Sequence, residues 1–108
     1  MNQADLQSIA NEFGGPLYVY DAEKIEFQYR RLCNAFSGVK NLRLNYATKA
    51  LSNISILSYI QKLGAGLDTV SIQEVRLGLE AGFKPSSIIY TPNGVSLAEI
   101  EEVADYGV

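Results

Sequence analysis

The sequence contains no histidine and only one cysteine, Cys33, among its 108 residues. Without histidine, a Ser-His-Asp triad, a Cys-His pair, a histidine-bound zinc and a histidine acid or base are excluded within this chain. A single cysteine excludes an intramolecular disulfide and is typical of a reducing cytoplasm. We place Cys33 on the apolar face of a helix, because free cysteine is commonly buried. Any chemistry must use Lys, Asp, Glu, Tyr, Cys or a cofactor.

Basic clusters and long apolar runs are also missing. The net charge is -3, and Arg30-Arg31 is the only adjacent basic pair, which argues against a surface that neutralises nucleic-acid phosphates. No apolar stretch approaches the roughly 20 residues of a membrane span. The amino terminus is polar and does not resemble a signal peptide. We therefore expect a cytoplasmic protein that binds neither nucleic acid nor a membrane.

The first 41 residues predict a helix, a short strand and a long helix. Apolar residues recur at helical spacing over residues 4–13, and the β-rich segment 17–20 predicts the strand. Asp21 is a favourable N-cap for the long helix that follows. We interpret residues 1–41 as a unit that leads into the next part of the fold.

Residues 42–108 show a repeated strand-helix pattern. Strands are predicted at about 42–47, 66–70 and 88–90, and each leads through a short loop into a helix. Their ends fall near Lys49, Val70 and Thr91, at a spacing of 21 residues. This pattern predicts an α/β fold with parallel strands, namely about three βα units of a partial (β/α)8 TIM-type barrel. A doubly wound sheet is the alternative, but no Gly-rich turn follows a strand.

Two of the predicted helices begin with the S-x-x-E pattern of a capping box. The first pairs Ser71 with Glu74, and the second pairs Ser96 with Glu99. In each, the serine side chain is expected to cap the helix, while the glutamate returns to the serine backbone N–H.

Lys49 lies at the carboxyl end of the first predicted strand of the repeat, where α/β folds place their chemistry. A lysine there can be a surface charge, an ion-pair partner, a phosphate ligand or an amine that binds an aldehyde. Ala47, two residues earlier on the same strand face, is small enough to leave room for a flat ring. Asp68 is predicted at the matching end of the next strand, close enough to interact with Lys49. Asp68 can instead be a loop-forming residue ahead of a helix.

Three ordered blocks resemble the fold-type III pyridoxal-phosphate-dependent decarboxylases. They are residues 46–50 (YATKA), 63–74 (LGAGLDTVSIQE) and 81–93 (AGFKPSSIIYTPN). With the opening PLYVYD of residues 16–21, they are most similar to members that act on meso-diaminopimelate. The resemblance runs from about residue 13 to residue 108.

The resemblance implies that Lys49 binds pyridoxal 5′-phosphate covalently and that Asp68 has an electrostatic role in catalysis. It also implies that Ala47 contacts the cofactor ring, whereas Glu74 is better explained by its capping box. The substrate would be meso-diaminopimelate, attacked at its D-configured centre, and the products L-lysine and CO2. The full-length protein would be a homodimer.

The resemblance further implies that the phosphate-binding loop, the histidine that stacks on the ring and a C-terminal β domain lie beyond residue 108. We therefore expect the isolated chain to be inactive. It should self-associate, because the sheet edge and its inner face stay open. Alternatives are a decarboxylase of ornithine, arginine or carboxynorspermidine, a non-catalytic pyridoxal-phosphate-binding barrel, or a self-associating structural fragment. The strand at 17–20 argues against the non-catalytic barrel, since it would serve the β domain.

Overall fold

In the computed structural model, which describes residues 2–108, the chain forms five α-helices and three β-strands. In chain order they are α1 (Gln3–Phe13), α2 (Ala22–Ala35), β1 (Asn45–Ala47), α3 (Ile54–Lys62), β2 (Gly66–Thr69), α4 (Ile72–Glu80), β3 (Ile88–Tyr90) and α5 (Leu97–Asp105). Short 3-10 turns occupy Thr48–Ala50 and Pro85–Ser87. None of the helices in this part of the chain is long and apolar enough to cross a membrane.

The three strands form one parallel sheet in the order β1-β2-β3. This confirms the predicted α/β class and the parallel arrangement of the strands. The first strand is shorter than predicted, since it begins at Asn45 and not at residue 42. Two rows of register partners cross the sheet: Tyr46, Leu67 and Ile88 form one, and Ala47, Asp68 and Ile89 form the next.

The apolar core lies between the sheet and the helices that follow its strands. Its buried members are Leu57, Ile60, Ala65, Leu67, Ile72, Val75, Ala81, Phe83, Ile88 and Val103. Gly78 lets α4 approach β2 closely, because a Cβ at this position would lie only 2.4 Å from Leu67 Cδ2. The helix-facing side of the sheet is therefore filled by direct α4–β2 packing.

The predicted strand at residues 17–20 is wrong. This segment forms no strand, because no other segment among residues 2–108 pairs with it through a hydrogen-bonded ladder. The helices on either side do form, and Asp21 caps α2 as predicted by accepting a hydrogen bond from Lys24 N.

The helix α2 is attached to the core region more by polar contacts than by burial. Neither α1 nor α2 contains a fully buried residue, although Ile25 and Tyr29 pack against the core and Cys33 is half-buried. Tyr59 Oη of α3 donates a hydrogen bond of 3.0 Å to Glu26 Oε2.

The serine halves of both predicted capping boxes are confirmed, and the glutamate halves are wrong. Ser71 Oγ accepts from Glu74 N, but Glu74 Oε2 accepts from Val70 N at 2.7 Å and not from the Ser71 backbone. The Glu74 carboxylate therefore has a structural role, as its sequence pattern suggested, and its partner is Val70, the residue before the N-cap.

Glu99 also has partners other than the predicted one. Ser96 Oγ caps α5 at Glu99 N, yet Glu99 Oε1 accepts from Ile72 N at 3.3 Å and from Tyr90 Oη at 2.6 Å. Burial and this hydrogen bond raise the pKa of Tyr90 to about 12. One carboxylate thus connects α5 to the first turn of α4 and to the end of β3, a long-range contact that no local pattern predicts.

Candidate functional site

Lys49 lies in the 3-10 turn Thr48–Ala50, immediately after β1. Leu51 closes this turn: its N–H donates to Thr48 O at 3.1 Å, and its carbonyl accepts from Tyr46 Oη at 3.2 Å. Burial is the main reason that the pKa of Tyr46 is raised, so its hydroxyl stays a donor. The Lys49 side chain is exposed and forms no ion pair with any residue from 2 to 108. The backbone around the amine is therefore held while the amine stays accessible.

Two buried threonines connect the carboxyl ends of the strands. Thr48 Oγ1 donates to Asp68 O at 3.0 Å, and Thr69 Oγ1 donates to Ile89 O at 2.9 Å. Their residue exposures are 1% and 0%, so each hydroxyl needs such a partner. Sequence reasoning missed both residues, although their spacing of 21 matches the repeat of the strands.

Ala47 and Asp68 are neighbours on the face of the sheet that points away from the helices. Leu67 points toward α4, as its contact with Gly78 shows. Because side chains alternate along a strand, Asp68 points to the opposite face, together with its register partners Ala47 and Ile89. Ala47 and Asp68 are half-buried and Ile89 is exposed, so this face is open.

Asp68 does not serve as a helix cap, since Ser71 is the N-cap of α4. Its carboxylate accepts a hydrogen bond of 3.1 Å at Oδ1 from Thr91 Oγ1. Within residues 2–108 no ion pair joins Asp68 to Lys49. The fold brings both residues to the same edge of the sheet, as predicted, but not into direct contact.

This edge combines an accessible amine, a small side chain and an oriented carboxylate. An amine on a rigid turn can form a covalent bond to an aldehyde carbon. The space above Ala47 can accept a flat ring, and the Asp68 carboxylate provides a negative charge nearby. The residues present therefore fit an aldehyde-bearing aromatic cofactor attached through Lys49.

A separate apolar cavity of about 560 Å³ lies between α2, the preceding segment and β1. Its walls include Ile25, Tyr29, Leu44, Tyr46 and Ile56. Neither Lys49 nor Asp68 lines it. The candidate site and this apolar cavity are thus different places.

The family model described as "Pyridoxal-dependent decarboxylase, pyridoxal binding domain" matches residues 22–108. The chain therefore belongs to the pyridoxal-binding domain family of the pyridoxal-dependent decarboxylases. Its relatives with curated names make the similarity more specific. It is 42% identical over 106 residues to the diaminopimelate decarboxylase of Methanothermobacter thermautotrophicus. The alignment covers 97% of this chain and 25% of that protein.

Other comparisons agree. The diaminopimelate decarboxylase of Helicobacter pylori strain J99 is 46% identical over 87 residues, covering 81% of this chain and 21% of that protein. The crystal structure of the Helicobacter pylori enzyme complexed with L-lysine superimposes with a TM-score of 0.87 at 37% identity, over 95% of this chain and 26% of that one. A lysine/ornithine decarboxylase from Vibrio vulnificus, complexed with putrescine, gives a TM-score of 0.86 at 30% identity, over 96% of this chain and 28% of that one. The chain spans about a quarter of the length of the curated relatives it matches.

Proposed function

We propose that this chain provides the cofactor-binding lysine of a pyridoxal-phosphate-dependent decarboxylase that converts meso-diaminopimelate to L-lysine and CO2. The observation that carries the proposal is the position of Lys49 on a hydrogen-bonded turn at the carboxyl end of β1, next to Ala47 and Asp68. Membership of the pyridoxal-binding domain family supports the same cofactor.

In this proposal Lys49 would hold pyridoxal phosphate through its amine nitrogen, which would replace the aldehyde oxygen of the cofactor with release of water. When bound, the cofactor supplies a protonated ring that accepts the electrons left behind as the substrate carboxylate departs as CO2. Tyr46 and Thr48 hold the turn, so Lys49 reaches the aldehyde from a fixed direction. Ala47 leaves room for the ring, and Asp68 stabilises positive charge that develops beside it.

The proposed substrate rests on the relatives. Curated relatives named diaminopimelate decarboxylase are 34–46% identical to this chain. Among the solved structures, diaminopimelate decarboxylases are 29–37% identical and the lysine/ornithine decarboxylase is 30% identical, so the curated relatives carry the choice of substrate. The alternative is that the parent protein, meaning the full-length protein that contains this chain, decarboxylates ornithine, arginine or carboxynorspermidine. Release of 14CO2 by the parent protein is measured with carboxyl-labelled meso-diaminopimelate, ornithine and arginine, and the preferred substrate distinguishes these alternatives.

We further infer that the three strand-helix units are part of a (β/α)8 barrel, with residues 1–41 leading into the barrel and 42–108 as its first units. Their parallel order and their overlap with the decarboxylase structures support this inference. We also infer a cytoplasmic homodimer for the parent. The 108-residue chain is expected to release no CO2 from meso-diaminopimelate and to self-associate through its open sheet edges.

Reductive trapping tests the role of Lys49. The chain is incubated with pyridoxal phosphate, reduced with borohydride and mapped by peptide mass spectrometry. We expect Lys49 to carry most of the label, whereas Lys62, which is also exposed but lies in the last turn of α3, should react slowly. Equal labelling of the two lysines would reject Lys49 as the cofactor-binding residue. The Lys49→Ala variant controls for label at other amines.

A further inference from the structure

We propose that Thr91 is a positioning residue for the Asp68 carboxylate at the candidate site. This inference rests on the proposed function, because it assigns Thr91 a role through Asp68 beside Lys49. Thr91 follows β3 directly, so it lies at the same edge of the sheet as the turn that carries Lys49. Its hydroxyl lies 3.1 Å from Asp68 Oδ1.

The backbone of Thr91 is held independently of its side chain. Thr91 N donates to Thr69 O at 2.8 Å, which continues the β2–β3 ladder by one residue. The position of the Thr91 Cα is therefore fixed by the sheet, whatever the side chain does. Thr91 Oγ1 is also 3.3 Å from Thr69 O, the same carbonyl that accepts the backbone hydrogen bond.

The Thr91 hydroxyl has a single hydrogen, so it donates to one acceptor at a time. The shorter distance and the negative charge of an ionised carboxylate both favour Asp68 over the Thr69 carbonyl. With Oδ1 engaged by Thr91, Oδ2 of Asp68 remains available to other groups at this edge of the sheet. The hydroxyl thus selects one orientation of a half-buried carboxylate.

The repeat itself supplies a suitable substitution. Lys49, Val70 and Thr91 occupy the same place in successive strand-helix units, 21 residues apart. A valine already stands at the second of these places, so Thr91→Val keeps the branched shape that the fold accepts there and replaces the hydroxyl with a methyl group. Thr91→Ser keeps the hydroxyl and removes the methyl group.

The first measurement needs no cofactor. Three-bond Hα–Hβ couplings in NMR spectra report the rotamer of the Asp68 side chain. We expect two unequal couplings in the unmodified chain, averaged couplings in Thr91→Val and unequal couplings again in Thr91→Ser. Unchanged couplings in Thr91→Val, or averaged couplings in Thr91→Ser, would overturn the proposal, because the hydroxyl would then not hold the carboxylate.

The second measurement links this orientation to Lys49. The rate at which pyridoxal phosphate is trapped at Lys49, relative to Lys62, should fall about threefold to tenfold in Thr91→Val, as expected for one lost hydrogen bond, and recover in Thr91→Ser. A rate that does not change while the Asp68 couplings average would overturn the role of Thr91 at the site. If the unmodified chain shows no preference for Lys49, the proposed function fails, and the couplings still decide whether Thr91 holds Asp68.

Discussion

The amino-terminal part of the chain and the strand-helix repeat are stabilised in different ways. From residue 2 to residue 47 no residue is fully buried, whereas every buried apolar residue lies between Leu57 and Val103. Ten large apolar side chains are exposed in the amino-terminal part, among them Phe13 at 71% and Tyr18 at 90%. The helices there form because their ends are capped, but their apolar faces remain largely uncovered.

This difference shows that helix formation and core formation can be separated in one chain. Local signals suffice for α1 and α2: Asn2 and Asp5 form a complete capping box, and Asp21 caps the next helix. Burial requires a partner surface, which β2 and α4 provide only for the later residues. Substitutions that remove apolar contacts should therefore affect stability in the repeat far more than in the amino-terminal part.

The largest contrast is expected between two leucines. Leu67 is 0% exposed at the centre of the sheet, and Leu17 is 39% exposed in the segment before α2. Leu67→Ala should lower the free energy of unfolding by about 2–5 kcal/mol, because it leaves a cavity that its neighbours cannot fill. Leu17→Ala should change it by about 0.5 kcal/mol or less. Urea denaturation of both variants measures the difference, and equal losses would show that the amino-terminal part has a core of its own.

A smaller contrast in stability is expected between alanine substitutions at Gly78 and Gly38, neither of which has a positive φ. A Cβ at Gly78 would lie 2.4 Å from Leu67 Cδ2, whereas a Cβ at Gly38 meets nothing within 4 Å. Gly78→Ala should destabilise the fold by about 1–3 kcal/mol, because Leu67 is fully buried and has little room to move.

Gly38→Ala is the matched control and should be neutral or slightly stabilising. The midpoints of thermal unfolding compare the two variants directly. A Gly78→Ala protein as stable as the unmodified chain would mean that α4 can move away from β2 at little cost.

The sequence predicts the local part of this fold better than its long-range part. The helices, the parallel order of the strands and the positions of Lys49, Ala47 and Asp68 at one edge follow from apolar periodicity and the 21-residue spacing. The hydrogen-bond donors to the Glu74 and Glu99 carboxylates do not follow. A carboxylate at the third helical position can reach several nearby N–H groups, and here Glu74 accepts from Val70 N and Glu99 from Ile72 N.

The exposed apolar residues of α5 show the same limit. Leu97 and Ile100 have helical spacing with the buried Val103, yet their exposures are 69% and 45%. Periodicity predicts which side of a helix is apolar, but not whether another element covers that side. The segment 17–20 fails as a strand for a related reason, since a strand requires a neighbour to accept its hydrogen bonds.

The smallest effect concerns the polar contact that joins the two parts. Hydrogen bonds from Arg30 and Tyr59 hold the pKa of Glu26 below its ordinary value of 4.5, with the Arg30 contribution the larger. A carboxyl whose pKa is lower in the folded chain adds stability above its unfolded pKa and loses it as the pH falls through the folded pKa. Tyr59→Phe removes one of these donors and should destabilise the chain slightly at about pH 7, and less at about pH 3.5.

The control for this effect is Glu26→Gln, which cannot ionise. In that background Tyr59→Phe should cost the same at both pH values, because the pH dependence requires the Glu26 carboxylate. Urea denaturation gives the free energies, and amide hydrogen exchange in α2 locates them. In the Tyr59→Phe variant we expect faster amide exchange in α2 at neutral pH and unchanged exchange in α4 and β2. The reason is that the Glu26–Tyr59 contact attaches α2 to α3 without contributing to the buried core. If exchange in α4 and β2 rises equally, the two parts unfold as one unit, and the polar contact supports the core as much as it attaches α2.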